Sequence, residues 1–346
     1  MADKKQVRIE DIGEFGLIRR LTDDIVIRHP STKTGIGDDA AVLDHGRSQL
    51  LVTSDLLVEG IHFDLTYVPL KHLGYKSVVV NLSDIYAMNG HPKQITVNLA
   101  ISSKMKLEAV EELYRGIKLA CSQYEVDLAG GDTSASLTGL LISITAIGTV
   151  AKGRAALRSG ARKGDLILVT GDLGAAYLGL LLLQREKKLF EEDPETQPKL
   201  DQYPYVLERQ LKPEARHNAI ALLYQHQVQP TSMIDISDGL SSDVMHLCDR
   251  SKLGCRIYAD KLPFHPETES VAEELFINPV VAALNGGEDY ELLFTVSPED
   301  YPKLHDVADF TTIGHMVDQN EGYQLVLSDQ STVPLVAQGW DGMQSE

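Results

Sequence analysis

An α/β or α+β protein of two domains is what this sequence predicts, and three observations carry the prediction. Strand-like and helix-like apolar patterns alternate through most of the chain, the mark of packed sheets and helices. The chain has 346 residues, and at roughly 150 residues per domain that is enough for about two. Hydrophobic residues make up 43%, sufficient to fill the cores that such layers require.

Residues 49–53 read as a strand running into Ser54-Asp55, and 72–88 as a helix with Tyr75, Val79, Leu82 and Tyr86 at helical spacing. A strand at 96–101 precedes a helix at 107–124, where Val110, Leu113, Ile117 and Cys121 form one stripe. A short strand at 126–129 runs into Gly130-Gly131-Asp132, and 140–150 alternates as a further strand. The basic, Gly-containing stretch 152–163 marks the expected domain boundary, giving domains of 1–151 and 152–346. Beyond it, 166–170 reads as a strand and 173–184 as a Leu-rich helix. The polar, acidic, Pro-bearing stretch 187–202 predicts a long loop. Pro213 suits the first turn of a helix through Tyr224. A strand at 233–236, a helix at 239–250 and strands at 256–259, 290–296 and 311–314 complete the second unit.

Net charge is −18, which speaks against nucleic acid and anionic membranes, where basic patches are expected. Cys121, Cys248 and Cys255 form no CxxC pair and leave an odd count, fitting reduced thiols in a cytoplasm better than a disulfide framework. Residues 1–10 are rich in charge and hold no apolar run, so no signal segment is expected. The apolar run 175–183 falls far short of the roughly 18 residues of a membrane span. These features predict a soluble, cytoplasmic protein.

The most informative pattern is acidic residues beside glycine near the ends of apolar runs. They read Gly37-Asp38-Asp39, Thr53-Ser54-Asp55, Ser83-Asp84, Gly130-Gly131-Asp132, Asp235-Ile236-Ser237-Asp238-Gly239 and Gly286-Gly287-Glu288-Asp289. Carboxylates in such number call for hard cations, which prefer oxygen ligands and commonly arrive with a polyphosphate. The pattern therefore points to magnesium and a nucleotide. Gly35-Ile36-Gly37-Asp38-Asp39-Ala40 matches a dinucleotide fingerprint only superficially, because a polar segment precedes it rather than a strand. No G-x-x-x-x-G-K-[ST] occurs, which excludes a P-loop. Each acidic turn also has a bland reading: solvated turn acids at Asp39, helix capping at Ser237 or Asp238, a core histidine at His62. The sum of the motifs is stronger than any one of them.

These residues carry a resemblance to the thiamine-monophosphate kinases. Its pieces are residues 35–41, 53–63, 80–88 and 130–133, Arg158-Ser159-Gly160, Gly164-Asp165, residues 235–240 and 286–291, and Gly339-Trp340-Asp341, covering nearly the whole chain in order. The wider superfamily is that of aminoimidazole-ribonucleotide synthase. The resemblance implies its fold, two α/β domains with the nucleotide site in a cleft near a dimer axis, and hence a homodimer. It assigns metal and ATP binding and dimerisation to the first domain, and completion of the substrate site to the second. Several Mg2+ ions would be held by Asp39, Thr53, Ser54, Asp55, Asp84, Asp132, Asp235 and Asp238. Whether K+ assists is left open. Nucleotide contacts would come from Tyr114, Gly131, Asp132, Arg158 and Ser237, and thiamine monophosphate would meet His62, Glu288 and Trp340. Gly342-Met343 stands where the family commonly has His-Phe.

The implied reaction moves the γ-phosphoryl of ATP onto the phosphate of thiamine monophosphate. That acceptor has a second pKa of about 6, so at neutral pH it is already a nucleophile and needs no general base. Bringing anion to anion is the barrier: about 4 kcal/mol per unit-charge pair at ~4 Å and an effective dielectric near 20. Metal ligands rather than a catalytic side chain are therefore expected to carry the chemistry, by direct transfer without a phospho-enzyme. Trp340, the only tryptophan, would face the cationic thiazolium ring.

Overall fold

A computed structural model of the chain describes residues 20–34, 42–43, 48–195 and 197–337. The chain divides into two units, Met1–Ile85 with Pro92–Thr149, and Tyr86–His91 with Val150–Glu346.

In the first unit, β1 (Thr32–Thr34) pairs antiparallel with β2 (Val42–Leu43). The main sheet has the order β3 (Gln49–Val58), β6 (Leu141–Val150), β4 (His91–Ser102), β5 (Asp127–Ser136). Helix α1 (Leu70–Ala87) joins β3 to β4, and α2 (Leu107–Gln123) makes the crossover between the parallel neighbours β4 and β5, as parallel pairing demands. Residues of β6 alternate strictly between buried and half-buried, so Ile142, Ile144 and Ala146 enter the core. The two helices approach at backbone distance. A Cβ on Gly74 would lie 2.0 Å from Leu113 O, and one on Gly116 would lie 1.9 Å from Lys71 O. Only glycine fits at that crossing.

The second unit is built on seven strands in the order β13 (Thr332–Pro334), β12 (Tyr323–Val326), β9 (Leu253–Tyr258), β11 (Phe310–Asp318), β7 (Leu166–Thr170), β10 (Leu292–Val296), β8 (Ser232–Asp235). All neighbours are antiparallel except β12 and β9. Every residue of β10 is buried, which requires cover on both faces. The core includes Ile167, Val169, Ile234, Leu293 and Ile313 from strands, with Leu240, Val244 and Leu247 from α6 (Leu240–Ser251). Helices α3 (Ala175–Glu192), α4 (Pro204–Leu211), α7 (Pro266–Glu274) and α8 (Pro279–Asn285) pack on one another, and α5 (His217–Gln225) precedes β8.

Several elements differ from the expectation. Strand β3 continues through Ser54 and Asp55 to Val58, and β5 continues through Gly130, Gly131 and Asp132 to Ser136. The acids thus sit within extended strands rather than in terminal turns. Helix α3 absorbs the start of the expected 187–202 loop, and buried Glu186 ties that segment back by accepting from Lys199 N at 3.0 Å. The helix expected from Pro213 begins only at His217, and Lys212 before the proline, at φ −141° and ψ 65°, has already left the helical region. Helices α4, α7 and α8 were not expected.

Candidate active site

Strand periodicity builds the first cluster. Alternation along β3 places Thr53 and Asp55 on one face and Ser54 on the other. On the first face, Thr53 Oγ1 donates to Asp84 Oδ2 at 2.5 Å, and Asp55 N donates to Asn81 Oδ1 at 3.0 Å. Asn81 and Asp84 stand one turn apart on α1, which brings them to the same stretch of strand. Burial first, and the Asp84 charge second, push the Asp55 carboxyl up to about 6. Two carboxylates packed this way favour a cation beside them. Ser54 instead accepts a hydrogen bond from Thr145 Oγ1 of β6 at 3.0 Å, so its side chain is not part of the cluster.

Asp132 is exposed on β5, opposite Asn98 of β4. A Cβ on neighbouring Gly131 would lie 1.8 Å from Val97 O, so glycine is required for these strands to approach. Tyr114 lies within the core stripe of α2, and burial pushes its phenol up to about 12. His62 is half-buried and accepts from Val58 N through Nδ1 at 3.1 Å. The neutral ring therefore carries its proton on Nε2. Asp39 and Trp340 lie outside the described residues.

The second cluster belongs to the other unit and rests on β8. Asp235 ends that strand, buried, in register with Leu292. Beyond it Ser237 is half-buried and Asp238 exposed. Neither caps α6; Asp243, in the helix's own first turn, reaches back instead, and its Oδ2 accepts from Ser237 N at 3.2 Å and Asp238 N at 3.3 Å. Burial, then the charges of Asp235 and Asp238, hold the Asp243 carboxyl well above the usual range. Asp243 was missed in the sequence, although an acid in the first turn of a helix behind Gly239 is itself a signal. Arg158 is exposed on the segment beside β8, where Met233 N donates to Leu157 O at 3.0 Å.

Glu288 is brought directly against this cluster. Its backbone N–H donates to Ser237 O at 2.8 Å, and Tyr290 N donates to Ile236 O at 2.9 Å. Gly287, Glu288 and Tyr290 have φ of 69°, 59° and 52°, and a Cβ on Gly287 would lie 2.6 Å from Ser237 O. Left-handed backbone at a non-glycine residue costs on the order of 1–3 kcal/mol and persists where surroundings enforce it. Those surroundings are charged and dry. Glu291, fully buried, meets Arg209 at 2.8 Å, Arg216, and Thr170 Oγ1 at 2.5 Å. Asp289, also fully buried, accepts from Gly174 N at 2.9 Å, and burial pushes its carboxyl up to about 7.

With these arrangements in view, comparison with known proteins is decisive. Residues 37–150 match the family AIR synthase related protein, N-terminal domain, and 162–325 match AIR synthase related protein, C-terminal domain. A thiamine-monophosphate kinase of Aquifex aeolicus is 35% identical over 319 residues, 91% of this chain and 95% of the relative. The chain belongs to the thiamine-monophosphate kinase family. Among solved structures, thiamine-monophosphate kinase from Stenotrophomonas maltophilia K279a gives a TM-score of 0.75 at 32% identity, across 90% of this chain and 94% of that one. AaThiL complexed with AMPPCP and TMP gives 0.72 at 34% identity, across 97% and 99%.

The oxygen donors of the first cluster are of the kind a hard divalent cation takes. Among the described residues no group of three or more His, Cys, Asp or Glu is placed to hold a metal ion by itself. Small oxygen-only groups such as Thr53, Asp55 and Asp84 match Mg2+, which keeps waters and takes phosphate oxygens alongside one or two carboxylates.

Proposed function

We propose that this chain transfers the γ-phosphoryl group of ATP to thiamine monophosphate, giving thiamine diphosphate and ADP, the last step of thiamine diphosphate biosynthesis. One observation carries the reading: the likeness spans both units, and it extends to AaThiL complexed with AMPPCP and TMP. AMPPCP has a methylene where ATP has its β,γ-bridging oxygen, so it stands in for the nucleotide before transfer.

The chain's own residues then divide the work. Thr53, Asp55 and Asp84 would hold Mg2+ in the first unit, with Asp39 and Asp132 as further ligands; Ser54, expected among them, faces Thr145 on the other side of β3 and is left out of the set. Asp235 and Asp238 hold Mg2+ in the second. The cation would supply neutralisation of the charge that gathers where donor and acceptor phosphates meet. Tyr114, Gly131, Asp132, Arg158 and Ser237 contact the nucleotide. Glu288, His62 and Trp340 bind the acceptor, and Glu288 offers a carboxylate to its positively charged thiazolium ring. No side chain needs to remove a proton, because the acceptor phosphate is already ionised. The first unit carries metal, ATP and dimer contacts, the second completes the substrate site, and the enzyme works in the cytoplasm. No described helix is long and apolar enough to cross a membrane.

A homodimer is part of the same proposal. Leu50, Val52 and Leu56 are each more than half exposed and share one face of β3. An apolar stripe on a sheet face is what an interface between copies covers.

The test is ADP release from Mg2+ and ATP with thiamine monophosphate, free thiamine or an aminoimidazole ribonucleotide precursor as acceptor. Stimulation by thiamine monophosphate alone is the expected result. Stimulation by the aminoimidazole compound instead would assign the chain another activity of the superfamily.

A further inference from the structure

Gln210 stands behind the Glu288 carboxylate in a way that the reaction as described does not use. Its Nε2 donates to Glu288 Oε2 at 2.8 Å, and its side chain is buried while Glu288 is half-buried. We propose that Gln210 is a positioning residue for the acceptor: it fixes the rotamer at which Glu288 presents its carboxylate to thiamine monophosphate. The inference rests on the reading that Glu288 faces that substrate.

The surroundings are built for the task. Helix α4 starts on Pro204, and Glu267 of α7 accepts from its Val206 N–H at 3.0 Å. The helix is pressed against α3 at Gly179, where a Cβ would lie 2.1 Å from Val206 O and 3.0 Å from Gln210 Cβ. Gln210 therefore cannot retreat. The preceding residue, Arg209, grips the same loop from within: its Nη2 donates to Asp289 O at 3.1 Å and Glu291 Oε1 at 2.8 Å. Two successive residues of one helix thus hold the loop, Arg209 by its backbone and inner acid, Gln210 by its reacting-side carboxylate. The choice of an amide matters. A lysine or arginine there would orient Glu288 but neutralise it, whereas an amide donor fixes direction and leaves the negative charge for the ligand's cationic ring.

The experiment is steady-state kinetics of Gln210→Met, Glu288→Ala and the double variant, with thiamine monophosphate and ATP varied separately. Methionine keeps the volume and removes the donor; Gln210→Ala serves as the second variant, and thermal melting checks that each is folded. Glu288→Ala should raise KM for thiamine monophosphate and leave KM for ATP unchanged; no change in the first would overturn the reading of Glu288 itself. Given that effect, Gln210→Met should raise the same KM about tenfold, the scale of one hydrogen bond to a charged group, with KM for ATP unmoved. In the Glu288→Ala background it should add nothing. A wild-type KM in Gln210→Met, or an undiminished effect without Glu288, would overturn the positioning role.

Discussion

Asp55 is the residue on which the first cluster turns. It is packed against Asp84, with Thr53 hydrogen-bonded across. Asp55→Asn keeps the shape and removes the charge that attracts a cation, so kcat/KM should fall by about a hundredfold or more, while the melting temperature holds or rises. A loss of activity matched by unfolding would contradict this. Asp289 makes a different prediction, one about pH. Its folded carboxyl titrates near 7, raised from the ordinary 3.8 chiefly by burial. Below both values the group is protonated in either state and adds no penalty. As pH climbs between them the unfolded chain ionises first, and stability drains away until the penalty is complete above the folded value. Asp289→Asn should therefore match wild type near pH 4 and melt higher by about 3 °C or more at pH 8; calorimetry across that range decides. Residues of this kind were only partly legible. Asp55, Asp235 and Glu288 stood out because glycine or a strand flanked them, and Asp84 because it interrupts a strongly apolar stretch of helix. Asp243 did not, since its role comes from reaching back over a turn, and that requires the fold.

Elements show the same division. Strands β7 and β10 and helices α1, α2 and α6 follow directly from apolar spacing, since each buries a continuous stripe or both faces. Strand β3 was harder to read beyond 53, because a strand that keeps Thr53 and Asp55 on one face loses its apolar alternation there. Helices α4, α7 and α8 share one start signal, a proline at the first helical position, and in α8 Asn278 caps Val280 N at 2.9 Å. Their brevity hid them: seven to nine residues show barely two turns of periodicity. The α1–α2 crossing yields an element-scale prediction. Gly116→Ala forces a Cβ against Lys71 O, within 1.9 Å, and the helices must separate. The cost should be about 1–3 kcal/mol or more, read as a lower denaturation midpoint, whereas alanine at the open Gly130 should disturb packing far less.

For the molecule as a whole, charge is the organising quantity. A chain of net charge −18 that handles two anionic substrates needs imported cations, and both units carry carboxylates in partly buried groups that suit them. The proposed dimer belongs to this scale as well: Val52→Asp, on the exposed apolar face of β3, should give a monomer in light scattering where the unaltered protein gives a dimer, and an unchanged mass would remove that face from consideration. The family's fold and activity were legible from the sequence because the acidic motifs run in order through both halves. The helix that braces Glu288 was not, because the packing at Gly179 exists only after folding. The most direct test of the whole account is formation of thiamine diphosphate from thiamine monophosphate and ATP by the purified protein, with Mg2+ present and then removed by a chelator. Product should appear with Mg2+, vanish on chelation and return when Mg2+ is restored; undiminished synthesis in the chelator would contradict the account.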